Sequence, residues 1–433
     1  MSGFNETSPS DWKYVSEGGA TIVFSYRGPT HPGFGFDNTV LRLRKQRLHK
    51  LAAKRGKSSD DIDDADLDDP MIEFQQKIVG RLISSEFLVR LRVAHLESPW
   101  LEQFASYHEP SRPAERKQVD TIDLSKRKAV LATDLVGGEA CVVEIKPKWG
   151  FLPFPAHLSP QSALIKTRTC RTCMHNHLRH IKGEPAALSY CPLDLFSGTE
   201  ARTARAIHGL WDAWKDSRGS VNNLRIFSQG QLLKPDDEEG VAEWAQTVFG
   251  SSDLADDDLR AKFTAALLSI VLETPLLRHL SKIQRTLDAL DSEGLSKLRA
   301  QAAASSFSSN HDVDSPISGR GTDLSEPSIG DWTAFVDAYL ASHDARDHSK
   351  PLPSELRYYT LAYLLSATFK DCSVLVKLPP TRDAHPAAQG LVKVIDLDPK
   401  SVKKMPGWEE LDQQIMGSYA AVIEDLRRTC QDG

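Results

Sequence analysis

Two short stretches carry the residues best suited to chemistry. In the first, the β-type run Cys141-Val142-Val143-Glu144-Ile145 ends in Lys146-Pro147-Lys148. A proline stiffens the backbone between the two lysines. Trp149, Phe151, Leu152 and Phe154 then supply an apolar anchor. Lysines fixed at a strand end suit several phosphate groups packed together. The alternative is a surface strand with two solvated lysines. In the second stretch, Val392, Val394 and Ile395 form a strand pattern that runs into Asp396 and Asp398. Residues two apart on a strand point to one side of the pleat. Paired carboxylates there suit Mg²⁺, which takes hard oxygen ligands together with the oxygens of a bound nucleotide. Lys400, Lys403 and Lys404 follow. Carboxylates beside clustered lysines fit a metal-bound nucleotide meeting an anionic acceptor; the alternative is a solvated charged turn.

A third constellation is sulfur-based. Cys170 and Cys173 have C-x₂-C spacing. With Cys191 and one of His175, His177 or His180 they would complete a four-ligand structural Zn²⁺ site. Reduced buried cysteines around a helix start are the alternative.

The elements that must position these residues fall into two parts. Trp12, Tyr14 and Val15 lead through Glu17-Gly18-Gly19-Ala20 into Ile22–Tyr26, a strand, a tight turn and a strand. Thr39–Arg44 alternates apolar and basic residues, as a half-buried third strand would. Residues 55–69 are acidic and polar and read as a flexible loop, followed by a helix over 71–85. Strands resume at 130–132 and 141–145. Helical patterns then dominate: 200–215, 258–273, 275–304, 331–342 and 354–370. Residues 305–328 are rich in Ser, Gly, Asp and Pro and read as disordered. Strands at 372–378 and 391–397 form a hairpin. The expected fold class is α+β. A β-rich lobe (1–145) precedes a larger α+β lobe (146–433), which carries a helical insertion at about 236–304.

Bulk properties exclude several classes. The chain has 433 residues, 40% hydrophobic and 26% charged, which is ordinary globular composition. A formal net charge of −6 argues against nucleic-acid binding by global charge. No apolar run approaches a membrane span, and the first residues hold no apolar signal core. Six cysteines are too few for a disulfide scaffold, so a reducing intracellular setting, nucleus or cytoplasm, is expected.

The motifs Glu17-Gly18-Gly19-Ala20, Glu144-Ile145-Lys146-Pro147-Lys148, Cys170-Arg171-x-Cys173-Met174-His175, Tyr190–Gly198, Asn222-Asn223-Leu224-Arg225 and Ile395-Asp396-Leu397-Asp398-x-Lys400 occur in this order. Together they resemble the inositol-pentakisphosphate 2-kinase family, from about residue 13 to 420. No motif matches in 55–69 or 236–330, which look like lineage-specific insertions.

The resemblance implies a two-lobed kinase-like fold with an inositide-binding helical portion in the second lobe. It implies ATP- and Mg²⁺-dependent phosphorylation of the axial 2-hydroxyl of inositol 1,3,4,5,6-pentakisphosphate, giving inositol hexakisphosphate. Gly18, Gly19, Ala20 and Thr21 would turn over the ATP phosphates; Thr21 stands where many relatives carry Asn. Arg42 would take the role of the strand lysine of protein kinases. Glu144, Lys146, Asn222 and Asn223 would complete the nucleotide side. Lys146, Lys148, Arg179, Asn223, Arg225, Lys400 and Lys404 would hold the inositide, with Arg112 or Arg116 reaching in from the first lobe. Trp408 stands where relatives offer a Tyr hydroxyl; an indole donates one hydrogen bond and accepts none. Asp371 would be the base for the attacking hydroxyl, and Asp396, joined by Asp398, would hold Mg²⁺. Without the resemblance, Asp371 reads as a helix-end residue beside Lys370.

The expected partner is a small molecule, with no membrane or direct nucleic-acid contact, and the expected state is a monomer. A second reading keeps the pocket without turnover: a non-catalytic inositol-polyphosphate scaffold. Carboxylates at 371 and 396 argue against it, because they repel phosphate and add nothing to pure binding.

Overall fold

Alternation in the third strand shows how the first core is built. In the computed structural model Leu41 and Leu43 are buried, while Arg42 and Arg44 between and beside them are half-buried. The structure describes residues 7–30, 35–48, 70–137, 141–306, 324–343, 345–379 and 392–432. The acidic stretch 55–69 and residues 307–323 of the Ser/Gly/Asp-rich stretch lie outside these. The fold is α+β, and the chain forms two compact units. The first comprises residues up to Gln76, Leu88–Ala140 and Phe227–Gln231; the second comprises Lys77–Phe87, Cys141–Ile226 and the chain from Leu232.

In the first unit the strands are β1 (Trp12–Glu17), β2 (Thr21–Tyr26), β3 (Thr39–Arg47), β4 (Leu91–His95), β5 (Asp120–Ile122) and β6 (Lys128–Thr133). They pair antiparallel in the order β1-β2-β3-β6-β4, with β5 on the far end of β3. Helix α1 covers Pro70–Lys77 and α2 covers Ser98–His108. The apolar face of α2, Trp100, Leu101 and Phe104, joins Trp12, Phe24 and Leu41 in one core. The Phe24 and Phe104 rings meet edge to face at 4.8 Å. The helix expected over 71–85 ends at Lys77, and 3₁₀ turns follow at Val79–Arg81 and Ser85–Phe87. The β-branched pair Ile78-Val79 and then Gly80, which costs about 1 kcal/mol in a helix relative to Ala, disfavour continuation.

A second sheet runs in the order β11-β10-β7-β8-β9, all of it in the second unit except Phe227, Ser228 and Gln231. Its strands are β7 (Cys141–Ile145), β8 (Leu224–Ser228), β9 (Gln231–Leu233), β10 (Ser373–Leu378) and β11 (Val392–Ile395). β7, grouped by sequence with the first lobe, pairs antiparallel with β10 here, and β10 pairs with β11 in the expected hairpin. Every residue of β7 is buried. The helices are α3 (Pro160–Lys166), α4 (Arg171–Ile181), α5 (Glu200–Asp216), α6 (Glu238–Phe249), α7 (Asp256–Glu273), α8 (Leu276–Leu287), α9 (Asp291–Ser306), α10 (Ile329–Ser342), α11 (Leu356–Lys370) and α12 (Met405–Ala420). α11 is buried at all but one of its 15 positions, so it is the central post of this unit. No single helix among the described residues is long and apolar enough to cross a membrane.

Candidate active site

The loop after β7 is fixed from three sides. The Lys146 N–H donates to the Asn223 carbonyl, and the Asn223 amide donates back to the Lys146 carbonyl, each at 3.0 Å. The Tyr190 hydroxyl donates to the Pro147 carbonyl at 2.8 Å. Gln284 of α8, fully buried, donates to the carbonyls of Lys148 (3.1 Å) and Phe369 (2.9 Å) and accepts from the Gly150 N–H (2.8 Å). Gly150 must be glycine, because a Cβ there would lie 2.8 Å from the Phe196 ring. Lys148 has φ +67°, a backbone conformation that L side chains rarely adopt. A rigid loop thus delivers two lysines in different directions.

Lys146 turns toward the β10–β11 end. Its Nζ lies 2.9 Å from Asp396 Oδ2 and 2.7 Å from Ser373 Oγ, and Ser373 donates to the buried Glu144 at 2.7 Å. Burial works to lower the Lys146 pKa, but Asp396 and Glu144 raise it overall. Arg225 of β8 lies 3.5 Å from Glu144, so it belongs to this cluster. Asp396 is also at positive φ, +61°, with its side chain 42% exposed. Leu397 is buried between Asp396 and Asp398, and the Asp398 carbonyl accepts from Thr368 of α11 at 3.0 Å. An exposed carboxylate at a strand end, backed by a lysine, fits Mg²⁺, which takes one or two carboxylates and draws its remaining ligands from phosphate and water.

Lys148 turns the other way. Its Nζ lies 3.3 Å from Asp371, which caps the C-terminus of α11, and Lys400 lies 3.0 Å from the same carboxylate. Burial would push the Asp371 carboxyl up, but Lys148, Lys400 and Lys146 hold it below the usual carboxylate range. Burial also pushes the Lys148 ammonium down, in spite of Asp371. Asp371 edges a cavity of about 430 Å³ walled by six cationic side chains: Lys148, Arg171, Arg179, Lys370, Lys400 and Lys404. Asn222, Asn223, Trp149 and Trp408 also line it.

Sequence reasoning placed Arg179 on the inositide but missed Arg171 and His175 in this wall. Arg171, His175 and Arg179 are four apart on α4 and share one face toward the cavity. That basic spacing is the signal that could have found them. Asp412 of α12 fixes Arg171 at 3.1 Å while also taking the buried Lys166 at 2.6 Å. Burial, then Arg171 and Arg179, push the His175 imidazole down to about 4. Lys370, read only as a neighbour of Asp371, is buried on Asp288 with its Nζ 3.7 Å from the Trp149 ring centroid. The helical stretch 236–304 carries no motif, yet its Gln284 sets the Lys148 backbone.

Two expectations need correction. Arg112 does not reach for a ligand: its side chain is fully buried, held by Glu17 at 2.9 Å and Asp120 at 2.7 Å, with Lys45 completing the cluster. A guanidinium carries five donors, and the carboxylates of Glu17, Glu109 and Asp120 together with the Asp120 main-chain carbonyl take them. Arg116 is exposed. In the sulfur cluster the fourth member is Cys430, not a histidine. His175 faces the cavity, His177 packs edge-on against Tyr419 at 5.5 Å, and His180 is exposed.

The glycine turn of the first unit is open. A Cβ on Gly18 or Gly19 would meet no described atom within 4 Å, so packing does not require either glycine. The Gly18 N–H closes the turn onto the Thr21 carbonyl at 2.9 Å. Arg42 leaves a buried Nε–H without a partner.

The family model for inositol-pentakisphosphate 2-kinase matches residues 14–414. The chain belongs to the inositol-pentakisphosphate 2-kinase family. An inositol-pentakisphosphate 2-kinase of Cryptococcus neoformans is 32% identical over 422 residues, covering 95% of this chain and 93% of that protein. One from Arabidopsis thaliana is 27% identical over 96% of this chain and 94% of its own length. One from Danio rerio is 31% identical over 52% of this chain and 44% of its own. Membership in this kinase family agrees with a cavity lined by six lysine and arginine side chains and edged by a carboxylate.

Proposed function

We propose that the protein transfers the terminal phosphoryl group of ATP to the axial 2-hydroxyl of inositol 1,3,4,5,6-pentakisphosphate, forming inositol hexakisphosphate. The observation that carries this reading is Asp371: one carboxylate, held ionised between Lys148 and Lys400, at the edge of a six-cation cavity. A binding protein for polyanions gains nothing from a negative charge there. A kinase needs one, because the attacking hydroxyl must lose its proton as the bond to phosphorus forms.

The other residues divide by what they face. Lys148, Arg171, Arg179, Lys400 and Lys404 hold acceptor phosphates, with Asn222, Asn223 and the Trp408 indole N–H as neutral donors. Lys146, near Asp396, serves the transferred phosphoryl group, with Glu144 and Arg225 fixing its place. Gly18, Gly19, Ala20, Thr21 and Arg42 serve the nucleotide phosphates. Asp396, joined by Asp398, would hold Mg²⁺, whose role is to neutralise phosphate charge during transfer. In this reading the two units are the lobes of a kinase-like fold, the protein works as a monomer, and it resides in the nucleus, the cytoplasm or both.

The test is incubation with ATP, Mg²⁺ and inositol 1,3,4,5,6-pentakisphosphate, followed by separation of the inositol phosphates. Appearance of the hexakisphosphate is expected. Tight acceptor binding without product would refute the proposal in favour of a scaffold.

A further inference from the structure

The four cysteines at the root of α4 are unused by the proposed chemistry. Cys170 caps α4, Cys173 lies in its first turn, Cys191 follows Tyr190, and Cys430 lies beyond α12. All four are buried, and their sulfurs lie within 4.8 Å of one another. The Cys170–Cys191 and Cys191–Cys430 sulfurs are 3.9 and 3.7 Å apart. These are too long for a disulfide, whose sulfurs sit at about 2.05 Å. They match the edge of a tetrahedron of thiolates around zinc, about 3.8 Å for bonds of ~2.3 Å. A cubane iron–sulfur cluster spreads its four cysteines around four irons and needs a wider cage.

The surroundings suit a metal centre. The Cys173 N–H donates to the Cys170 sulfur at 3.4 Å, and the cluster is walled by Leu193 and Leu152. Four thiolates and one Zn²⁺ carry a net charge of −2, and Arg428, two residues before Cys430, places a cation in the same segment, where it donates to the Leu188 carbonyl at 3.0 Å. Cys430 is not adrift. Its N–H donates to the Arg168 carbonyl at 2.7 Å, and Thr169 donates to the Arg428 carbonyl at 2.6 Å.

We propose that Cys170, Cys173, Cys191 and Cys430 bind one zinc ion, which clamps residues 428–432 onto the start of the helix carrying Arg171, His175 and Arg179. Four thiols lose four protons on binding: Zn²⁺ + 4 RSH → Zn(SR)₄²⁻ + 4 H⁺. The ion is structural, since four protein ligands leave no open position. Its consequence for the neighbouring cavity is positional. It fixes the first turn of α4, and Arg171 is the residue after Cys170.

The test uses the full chain expressed with zinc in the medium. Elemental analysis is expected to give one zinc per chain, released as thiols are titrated with a mercurial. Cobalt exchanged into the wild type is expected to show the charge-transfer and ligand-field bands of a tetrahedral tetrathiolate site. Cys430→Ser is expected to lose zinc affinity by on the order of 100-fold against a chromophoric chelator. Cys372→Ser, at a buried cysteine outside the cluster, is expected to keep one zinc. Wild-type protein that takes up neither zinc nor cobalt, or Cys430→Ser with unchanged zinc affinity, would overturn the proposal. If Cys430→Ser does not fold, the cobalt spectrum of the wild type decides. None of these readouts needs turnover, so a failed clamp and a failed kinase reading are separable.

Discussion

Replacing Asp371 by Asn tests the assignment of the base, because it separates turnover from binding in opposite directions. The substitution keeps the shape and removes the charge. A positioned general base contributes roughly 10²–10⁴-fold, which is about 3–5 kcal/mol of barrier. kcat should fall by at least about 100-fold. Acceptor binding should not fall with it. Asp371 is 57% exposed and engages Lys148 at 3.3 Å and Lys400 at 3.0 Å. Exposed pairs of this kind are worth about 0.2–1 kcal/mol each after solvent screening. Both must loosen before those ammonium groups can turn to phosphate. Removing the carboxylate also removes its repulsion of the acceptor. The net expectation is an affinity equal to wild type or tighter by up to about tenfold. Calorimetry with the pentakisphosphate gives Kd, and chromatography of the products gives kcat. A kcat within about tenfold of wild type would remove Asp371 from the reaction. A Kd weakened in proportion to kcat would show that the variant damages the site rather than the chemistry.

Three further expectations concern other parts of the molecule. Because the lysines hold the Asp371 pKa down, the acid limb of kcat should lie below the ordinary carboxylate range. A base works when unprotonated, so Lys400→Met, which removes one stabilising cation, should move that limb to higher pH; an unmoved or lowered limb would show that a different group titrates. Asp396→Ala should abolish the Mg²⁺-dependent part of ATP binding measured by calorimetry, and identical titrations with and without the substitution would move the metal to another carboxylate. Arg112→Met should destabilise the protein by about 3 kcal/mol in urea unfolding, since Glu17 and Asp120 would share Lys45 alone in a buried setting. A loss under about 0.5 kcal/mol would mean the cluster is not structural.

The sequence was most legible where one residue type has one local cause. Alternation marked β3, the glycine turn marked the β1–β2 hairpin, and the Asp371 position followed from a helical pattern giving way to an apolar strand. Arg112 was misread because basic residues beside prolines look alike in a string. Its fate was decided by Glu17 and Asp120, whose pairing with it depends on β3 and β5 meeting. Cys430 was overlooked for a related reason. Metal spacing is readable within about a helical turn, and this cysteine lies 239 residues from Cys191. Gln284 had no motif to offer, since a buried amide that braces two backbones announces nothing in composition. Arg179 was named through the resemblance, but Arg171, eight residues earlier on the same face of α4, was passed over because it stands between the paired cysteines Cys170 and Cys173.

The pairing of β10 with both β7 and β11 has a consequence for how the chain is made. Lys146 and Asp396 are 250 residues apart, yet their side chains meet at 2.9 Å. Closing such a loop costs about 3 kcal/mol more entropy than closing one of ten residues, and contacts of this span slow folding. A ribosome adding roughly 5–20 residues per second needs about 12–50 s between the two. During that interval the two lysines after β7 exist without the carboxylates that later oppose them. No amino-terminal fragment ending before β10 can hold the acceptor cavity, however well its strands pair.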